Sequence, residues 1–176
     1  MAGIDPSIPF APLHVAVLTI SDTRNEATDK SGALLVEKLT EAGHIVCEKA
    51  IVRDEQAAIE AKLRQWIGDP GIEVVISTGG TGVTGRDVTP EAFHAVYEKE
   101  IPGFGELFRM LSYKTIATST VQSRATAGVA NGTYLFALPG STGACRDAWD
   151  MILKDQLDIR HKPCNFAELL PRLTER

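Results

Sequence analysis

The residues best equipped for chemistry lie together in Ser77-Thr78-Gly79-Gly80-Thr81-Gly82-Val83-Thr84-Gly85-Arg86-Asp87-Val88-Thr89-Pro90-Glu91. Four glycines, several hydroxyls and one Arg-Asp pair fill this stretch. Glycine lets backbone N–H groups turn toward a phosphate with no side chain in the way. Asp87 is the wrong group for a bare phosphate and the right one for Mg²⁺ held between phosphates. The stretch lacks the Gly-Lys-Ser/Thr of a nucleotide phosphate loop. Its glycine spacing and its place after a later strand also differ from the dinucleotide fingerprint. A plain tight turn would account for a lone glycine pair. The length and the hydroxyls favour an anion site.

Such a loop needs a strand before it and a helix after it. Glu73-Val74-Val75-Ile76 is an apolar, β-branched run that reads as a buried strand. Thr89-Pro90-Glu91 is a good helix start, with Thr at the N-cap, Pro at the first helical position and Glu in the first turn. The same pattern recurs upstream. His14 to Ile20 is a first strand, and Asp29 can cap a helix running to about Ala42, with Leu34, Leu35 and Leu39 inward. Ile45 to Val52 is a second strand. Asp54 can cap a second helix, on which Ile59, Leu63, Trp66 and Ile67 share a face. This βαβαβ order predicts a parallel sheet with right-handed crossovers. A helical region is expected from Thr89 to about Lys114, broken near Pro102-Gly103. A strand from Thr133 to Leu138 and a helix from Thr142 to about Leu157 follow, with Cys145, Ala148, Trp149, Ile152 and Leu153 inward.

Ligands of an open α/β sheet collect beyond the carboxyl ends of its strands. Four loops are candidates: Ser21-Asp22-Thr23-Arg24, Arg53-Asp54-Glu55-Gln56, the glycine loop, and Pro139-Gly140-Ser141-Thr142. All four can face one cleft. Asp54 reads equally as a helix cap and as a ligand. Asp87 is harder to assign to structure, because Thr89 already fills the cap role. Arg124, beside Ser123, suits fork-like recognition of a terminal phosphate, or is a solvated surface Arg. Arg86 can stabilise phosphate charge or simply be solvated. Pro139-Gly140-Ser141 can present a helix N-terminus to an anion or be a plain turn.

Composition narrows the class. A chain of 176 residues with 44% apolar content suits one soluble domain. Residues 1–12, with three prolines, read as a loose arm that can lie over a neighbour, and 13–176 as a single domain. A net charge of −5 argues against electrostatic nucleic-acid binding. No apolar run approaches the ~20 residues that span a bilayer, and the first residues lack a secretory pattern. Cys47, Cys145 and Cys164 are odd in number and far apart, as expected of idle thiols in the cytoplasm. The four histidines show no zinc spacing.

Thr78-Gly79-Gly80-Thr81-Gly82 followed by Arg86-Asp87-Val88-Thr89-Pro90-Glu91 resembles the signature of the MoaB/Mog family of molybdenum cofactor biosynthesis. Leu18-Thr19-Ile20-Ser21-Asp22, Pro102-Gly103-Phe104-Gly105-Glu106, Leu111-Ser112, Ser123-Arg124-Ala125 and Leu138-Pro139-Gly140-Ser141 are similar to its other motifs. Phe108-Arg109-Met110-Leu111-Ser112 and the tail Arg160-His161-Lys162-Pro163-Cys164-Asn165-Phe166 resemble the MoaB branch. The resemblance covers most of the chain, and it is specific when the motifs are taken together. It implies a three-layer α/β/α sandwich with a mostly parallel sheet, the molybdopterin-binding fold. It implies transfer of AMP from Mg-ATP to molybdopterin.

The family's active adenylyltransferases need two aspartates, and Asp54 and Asp87 match those positions as catalytic residues and Mg²⁺ ligands. Arg53 stands where that branch often has Pro. Some MoaB-branch members lose both acidic motifs and the activity with them; this chain keeps them. Carried over in the same way, Thr78, Gly79, Gly80, Thr81, Gly82, Ser21 and Asp22 are expected to serve the nucleotide. Ser123, Arg124, Pro139, Gly140 and Ser141 are expected to serve molybdopterin. The MoaB-like segments imply a homohexamer of two trimers, with a trimer as the alternative, and other proteins of cofactor biosynthesis as partners. A non-catalytic pterin or nucleotide carrier and a trimerising scaffold are the competing readings.

Overall fold

Val74, Val75 and Ile76 have no exposed surface, and the strand they build lies inside the sheet. The computed structural model describes residues 2–175. Its elements run β1 (Gly3–Ile4), β2 (His14–Ile20), α1 (Lys30–Glu41), β3 (Ile45–Val52), α2 (Gln56–Ile67) and β4 (Val74–Thr78), then α3 (Thr89–His94), β5 (Lys99–Glu100) and α4 (Pro102–Ile116). A 3-10 segment (Ala117–Gln122) leads to β6 (Thr126–Ala130) and β7 (Thr133–Leu138). Then come α5 (Thr142–Ala148), a π turn (Trp149–Leu153), α6 (Lys154–Gln156), β8 (His161–Lys162), α7 (Phe166–Leu169) and a 3-10 turn (Leu170–Arg172).

The main sheet has the order β3-β2-β4-β7-β6-β5. The pairs β2–β3, β2–β4 and β4–β7 are parallel; β6 runs antiparallel to both β7 and β5. Two apolar cores lie on opposite faces. Leu35 and Leu39 of α1, Phe104 and Phe108 of α4, and Cys145 and Ala148 of α5 fill one. Ile59, Leu63 and Trp66 of α2, with Ala92 and Phe93 of α3, fill the other. Each fully buried Leu, Ile or Phe contributes about 1.5–3 kcal/mol of burial free energy. The result is the expected three-layer, mostly parallel sandwich.

Several local expectations are corrected. Asp54 does not cap α2: the helix starts at Gln56, and its cap position, Glu55, makes no side-chain cap bond. Thr89 is the first residue of α3 rather than its cap, and its hydroxyl donates to the Gly79 carbonyl at 2.9 Å. The helical region after Thr89 is two helices separated by β5. The strand β6 was not read from the sequence. Thr-Ala-Gly-Val-Ala has weak strand character alone, and pairing on both edges makes it a strand. The N-terminal arm is laid over its own chain: Gly3–Ile4 pairs with His161–Lys162, and the Phe10 ring packs against His44 and under the Arg160 guanidinium.

Candidate active site

Strand order decides where a ligand can sit. The chain leaves β2 and β7 toward helices on one face, α1 and α5, and leaves β4 toward α3 on the other. The glycine loop after β4 therefore opens between two strands whose loops turn the opposite way. Such a switch point leaves a crevice at the carboxyl ends of the strands.

The glycine loop folds tightly into that crevice. Gly79 and Gly80 have positive φ, 111° and 64°. A side chain on Gly79 would strike the Ile20 carbonyl oxygen, and one on Gly80 would strike the Thr89 hydroxyl and the Asp54 carboxylate. These two positions need glycine for conformation and for space. The Gly79 N–H donates to the Leu138 carbonyl at 3.0 Å, and the buried Thr78 hydroxyl donates to the Pro139 carbonyl at 2.9 Å. These bonds tie the glycine loop to the Pro139-Gly140-Ser141 turn. There Ser141 caps α5, its hydroxyl accepting from the Ala144 N–H. Thr81 is buried at the base of the loop.

Three aspartates from three loops meet beside it. The Asp22 N–H donates to the Asp54 carboxylate at 3.0 Å, and the Asp54 N–H donates to the Asp22 carboxylate at 3.2 Å. Arg86 donates to Asp22 from Nη2 at 2.6 Å and from Nε at 3.2 Å, which holds the Asp22 carboxyl below the usual range. Asp87 accepts from the Thr84 hydroxyl at 2.6 Å and the Thr84 N–H at 2.8 Å. Burial would raise the Asp87 carboxyl, but these bonds outweigh it and hold the group low. Asp54 goes the other way. Burial pushes its carboxyl up, and the charges of Asp22 and Asp87 add to the push. A half-buried carboxylate repelled by its neighbours is an environment that a divalent cation would relieve.

The crevice contains two adjoining hollows. One, of about 500 Å³, is polar and is lined by Ser21, Asp54, Thr78, Gly79, Gly80 and Asp87, with Gly140 and Ser141. The other, of about 660 Å³, is lined by Thr81, Gly82, Ser123 and Pro139, with Phe108 and Ile116 as apolar wall. They share Gly80, Asp87, Gly140 and Ser141. All the residues expected to serve a ligand thus gather here except two. Asp22 braces the rim through Arg86 and Asp54. Arg124 lines neither hollow. Its guanidinium is committed to the Gly82 and Asp87 carbonyls and to the Glu91 carboxylate, so in this structure it is not a free anchor for a terminal phosphate.

The larger hollow also contains Ser112, which carried the family resemblance without a site role, and Thr115, Ser119, Thr120 and Asp147, which were assigned none. The Thr115 hydroxyl donates to Asp147 at 3.4 Å. The richness in hydroxyls of 118–123 was the available signal for this wall; Asp147, in the middle of a helix, carried none. In the polar hollow, Lys30 and Ser31 of α1 were also missed. The Ser31 hydroxyl donates to the Gly140 carbonyl at 2.9 Å. Among the described residues, no three His, Cys, Asp or Glu side chains form a ready-made metal cage. Mg²⁺ sites commonly combine one or two carboxylates with substrate phosphates.

Residues 16–159 match the family described as "Probable molybdopterin binding domain". The chain belongs to this family. The molybdenum cofactor biosynthesis protein B of Escherichia coli (strain K12) is 52% identical over 160 residues, covering 91% of this chain and 94% of that protein. The protein of the same name from Bacillus subtilis (strain 168) is 45% identical over 142 residues, covering 80% of this chain and 84% of that one. Among solved structures, a crystal structure of molybdenum cofactor biosynthesis protein B superposes with a TM-score of 0.81 at 45% identity, covering 84% of this chain and 92% of that chain. The MoaB tungsten cofactor synthesizing protein of Pyrococcus furiosus superposes at 0.73 and 37% identity, covering 82% and 92%. The sandwich is thus that of the MoaB/Mog family.

Proposed function

We propose that this protein acts in molybdenum cofactor biosynthesis by transferring AMP from Mg-ATP to molybdopterin. Membership of the family, and relatives named for that biosynthesis, support the role in cofactor synthesis. The observation that carries the finer reading is the pair of hollows meeting along Gly80, Asp87, Gly140 and Ser141. Transfer between two substrates needs two pockets with one shared edge.

In this reading the polar hollow takes ATP and the larger one takes molybdopterin. Backbone N–H groups of Gly80 to Gly82 and the Ser21 loop hold the ATP phosphates, on a base that Thr78 and Gly79 shape. Ser123 and the Pro139-Gly140-Ser141 turn hold the molybdopterin side. A terminal phosphate oxygen of molybdopterin attacks the α-phosphorus of ATP. The bond from that phosphorus to the β-phosphate oxygen breaks, and pyrophosphate leaves. No protein nucleophile is needed; positioning and charge neutralisation do the work. Asp54 and Asp87 would hold Mg²⁺, which supplies positive charge against the leaving pyrophosphate. Arg86, tethered by Asp22, stands at the rim of the polar hollow.

The same reading includes assembly into a hexamer of two trimers, with a trimer as the alternative. Leu107, Met110, Tyr113 and Ile116 of α4 are exposed large apolar residues, the sort of surface that association covers. It also places the protein in the cytoplasm, with other cofactor-biosynthesis proteins as partners. Three free thiols fit that setting, and no helix among the described residues is long and apolar enough to cross a membrane.

The test is to incubate the protein with molybdopterin, ATP and Mg²⁺ and to look for adenylyl-molybdopterin and pyrophosphate in equal amounts. Binding of both ligands without product would leave a carrier. Binding of neither would leave a scaffold.

A further inference from the structure

Arg124 makes four hydrogen bonds to residues 81–91. Its Nε donates to the Gly82 carbonyl at 2.6 Å, its Nη2 to the Asp87 carbonyl at 2.7 Å, and its Nη1 to the Glu91 carboxylate. Its own backbone N–H donates to the Thr81 carbonyl at 3.0 Å. The acceptors at 82 and 87 flank the tip Val83–Arg86, where Val83 is 67% exposed. A single planar guanidinium therefore bridges the two stems of the tip and fastens both to the first turn of α3. The backbone on either side of Arg124 is itself held, since Arg109 Nη1 donates to the Ser123 and Ala125 carbonyls at 3.5 and 3.2 Å.

We infer that Arg124, with Glu91 as its counter-charge, is a positioning residue that sets the place of the Asp87 carboxylate. The fork acts on the backbone of Asp87, while the Asp87 side chain faces the edge shared by the two hollows. The donors of a guanidinium are rigid and divergent; an ammonium is a point charge and cannot span two carbonyls and a carboxylate at once. Without the bridge, the tip keeps its internal Thr84–Asp87 bonds and the Arg86–Asp22 pair, but its stems are free to separate. Preorganisation of the metal-binding carboxylate is then lost even though every group lining the hollows is present. The catalytic consequence rests on the AMP-transfer reading; the brace itself does not.

Hydrogen exchange on the ligand-free, full-length protein separates the two. Amides of residues 82–88 should exchange about tenfold faster in Arg124→Lys than in the unsubstituted protein, with a smaller increase in Glu91→Gln. Exchange in β2 and β7 should be unchanged. Affinity for a nonhydrolysable ATP analogue with Mg²⁺ should fall in both variants, and affinity for molybdopterin should hold. Unchanged exchange at 82–88 in both variants would overturn the inference. So would a loss of molybdopterin affinity larger than the loss for the ATP analogue, which would return Arg124 to direct phosphate binding. If the unsubstituted protein makes no adenylyl-molybdopterin, the proposed function fails, and the exchange measurement still decides the brace.

Discussion

Asp22 and Asp54, 32 residues apart in sequence, exchange backbone-to-carboxylate hydrogen bonds of 3.0 and 3.2 Å across the gap between the loops after β2 and β3. Each carboxylate is thereby fixed by the other's backbone. Two like charges are held close, and only one is neutralised, because Arg86 sits on Asp22. Asp54 is left as the costly member of the pair: burial raises its carboxyl pKa, and the charges of Asp22 and Asp87 add to the rise.

That cost has a sign. A carboxyl whose folded pKa is raised binds its proton more tightly in the folded state than in the unfolded one. Stability then falls as pH rises through the interval between the two pKa values, and the penalty is complete above the folded value. Asp54→Asn should therefore raise the melting temperature of the ligand-free protein at pH 7, while AMP transfer collapses. Thermal scans of both proteins with and without Mg-ATP check it. The unsubstituted protein should gain more from Mg-ATP than the variant does. A lower melting temperature for the variant at pH 7 would contradict this account of Asp54.

Asp87→Asn should abolish AMP transfer while leaving the fold intact. The residue is in a loop, the change is nearly isosteric, and an amide oxygen can still accept from Thr84. What disappears is the negative charge that would hold Mg²⁺. Turnover should fall by about 100-fold or more, the scale on which loss of a charge-stabilising group is felt. The melting temperature should stay close to that of the unsubstituted protein. Turnover near the original rate in saturating Mg²⁺ would remove Asp87 from the metal site.

His44 should make the protein acid-sensitive. It is buried, its Nδ1 accepts from the Leu13 N–H at 3.1 Å, and its ring packs between Phe10 and Trp149. Burial lowers its pKa, although Asp158 and Glu73 pull it back up. A His with a lowered folded pKa takes up its proton more readily when unfolded. Stability is thus complete above about pH 6.5 and is lost as pH falls below that value toward the lower folded pKa. Protonation also removes the acceptor for Leu13, at the start of β2. Denaturant unfolding at pH 7.5 and 5.5 should show this loss, and His44→Gln should flatten it.

Met110→Glu should reduce the size of the assembly. Met110 and Tyr113 are 60% and 57% exposed on one side of α4, where Leu107 is also exposed. A charge there stays in solvent in the single chain but would be buried in an interface. Light scattering should give a hexamer for the unsubstituted protein and smaller species for the variant. A stable monomer at micromolar concentration before substitution would end the assembly proposal.

The sequence by itself determined the local devices. Strand β4 was legible because Val74-Val75-Ile76 is apolar and β-branched. The helix after β2 was legible because Asp29 caps it, accepting from the Gly32 N–H, and because its apolar positions recur at helical spacing. The anion-binding character of residues 77–91 was legible because glycines, hydroxyls and Asp87 are neighbours in the chain. The fold class followed from the βαβαβ order, since right-handed crossovers leave few alternatives.

Only the tertiary structure decided which of these groups act together. Asp54 reads equally as a cap and as a ligand along the chain; the strand order β3-β2-β4 brings its loop against Asp22 and the glycine loop. Arg124 reads as a phosphate anchor or a solvated Arg along the chain; in the fold its fork is on Gly82, Asp87 and Glu91. Strand β6 and Asp147 stayed silent because neither carries a periodic or compositional mark. Period, caps and turn residues are set by interactions within a few residues and can be read along the chain. The meeting of the loops that carry Asp22, Asp54 and Asp87 depends on which strands are neighbours and on the direction each loop leaves the sheet, and that arrangement exists only once the sheet has formed.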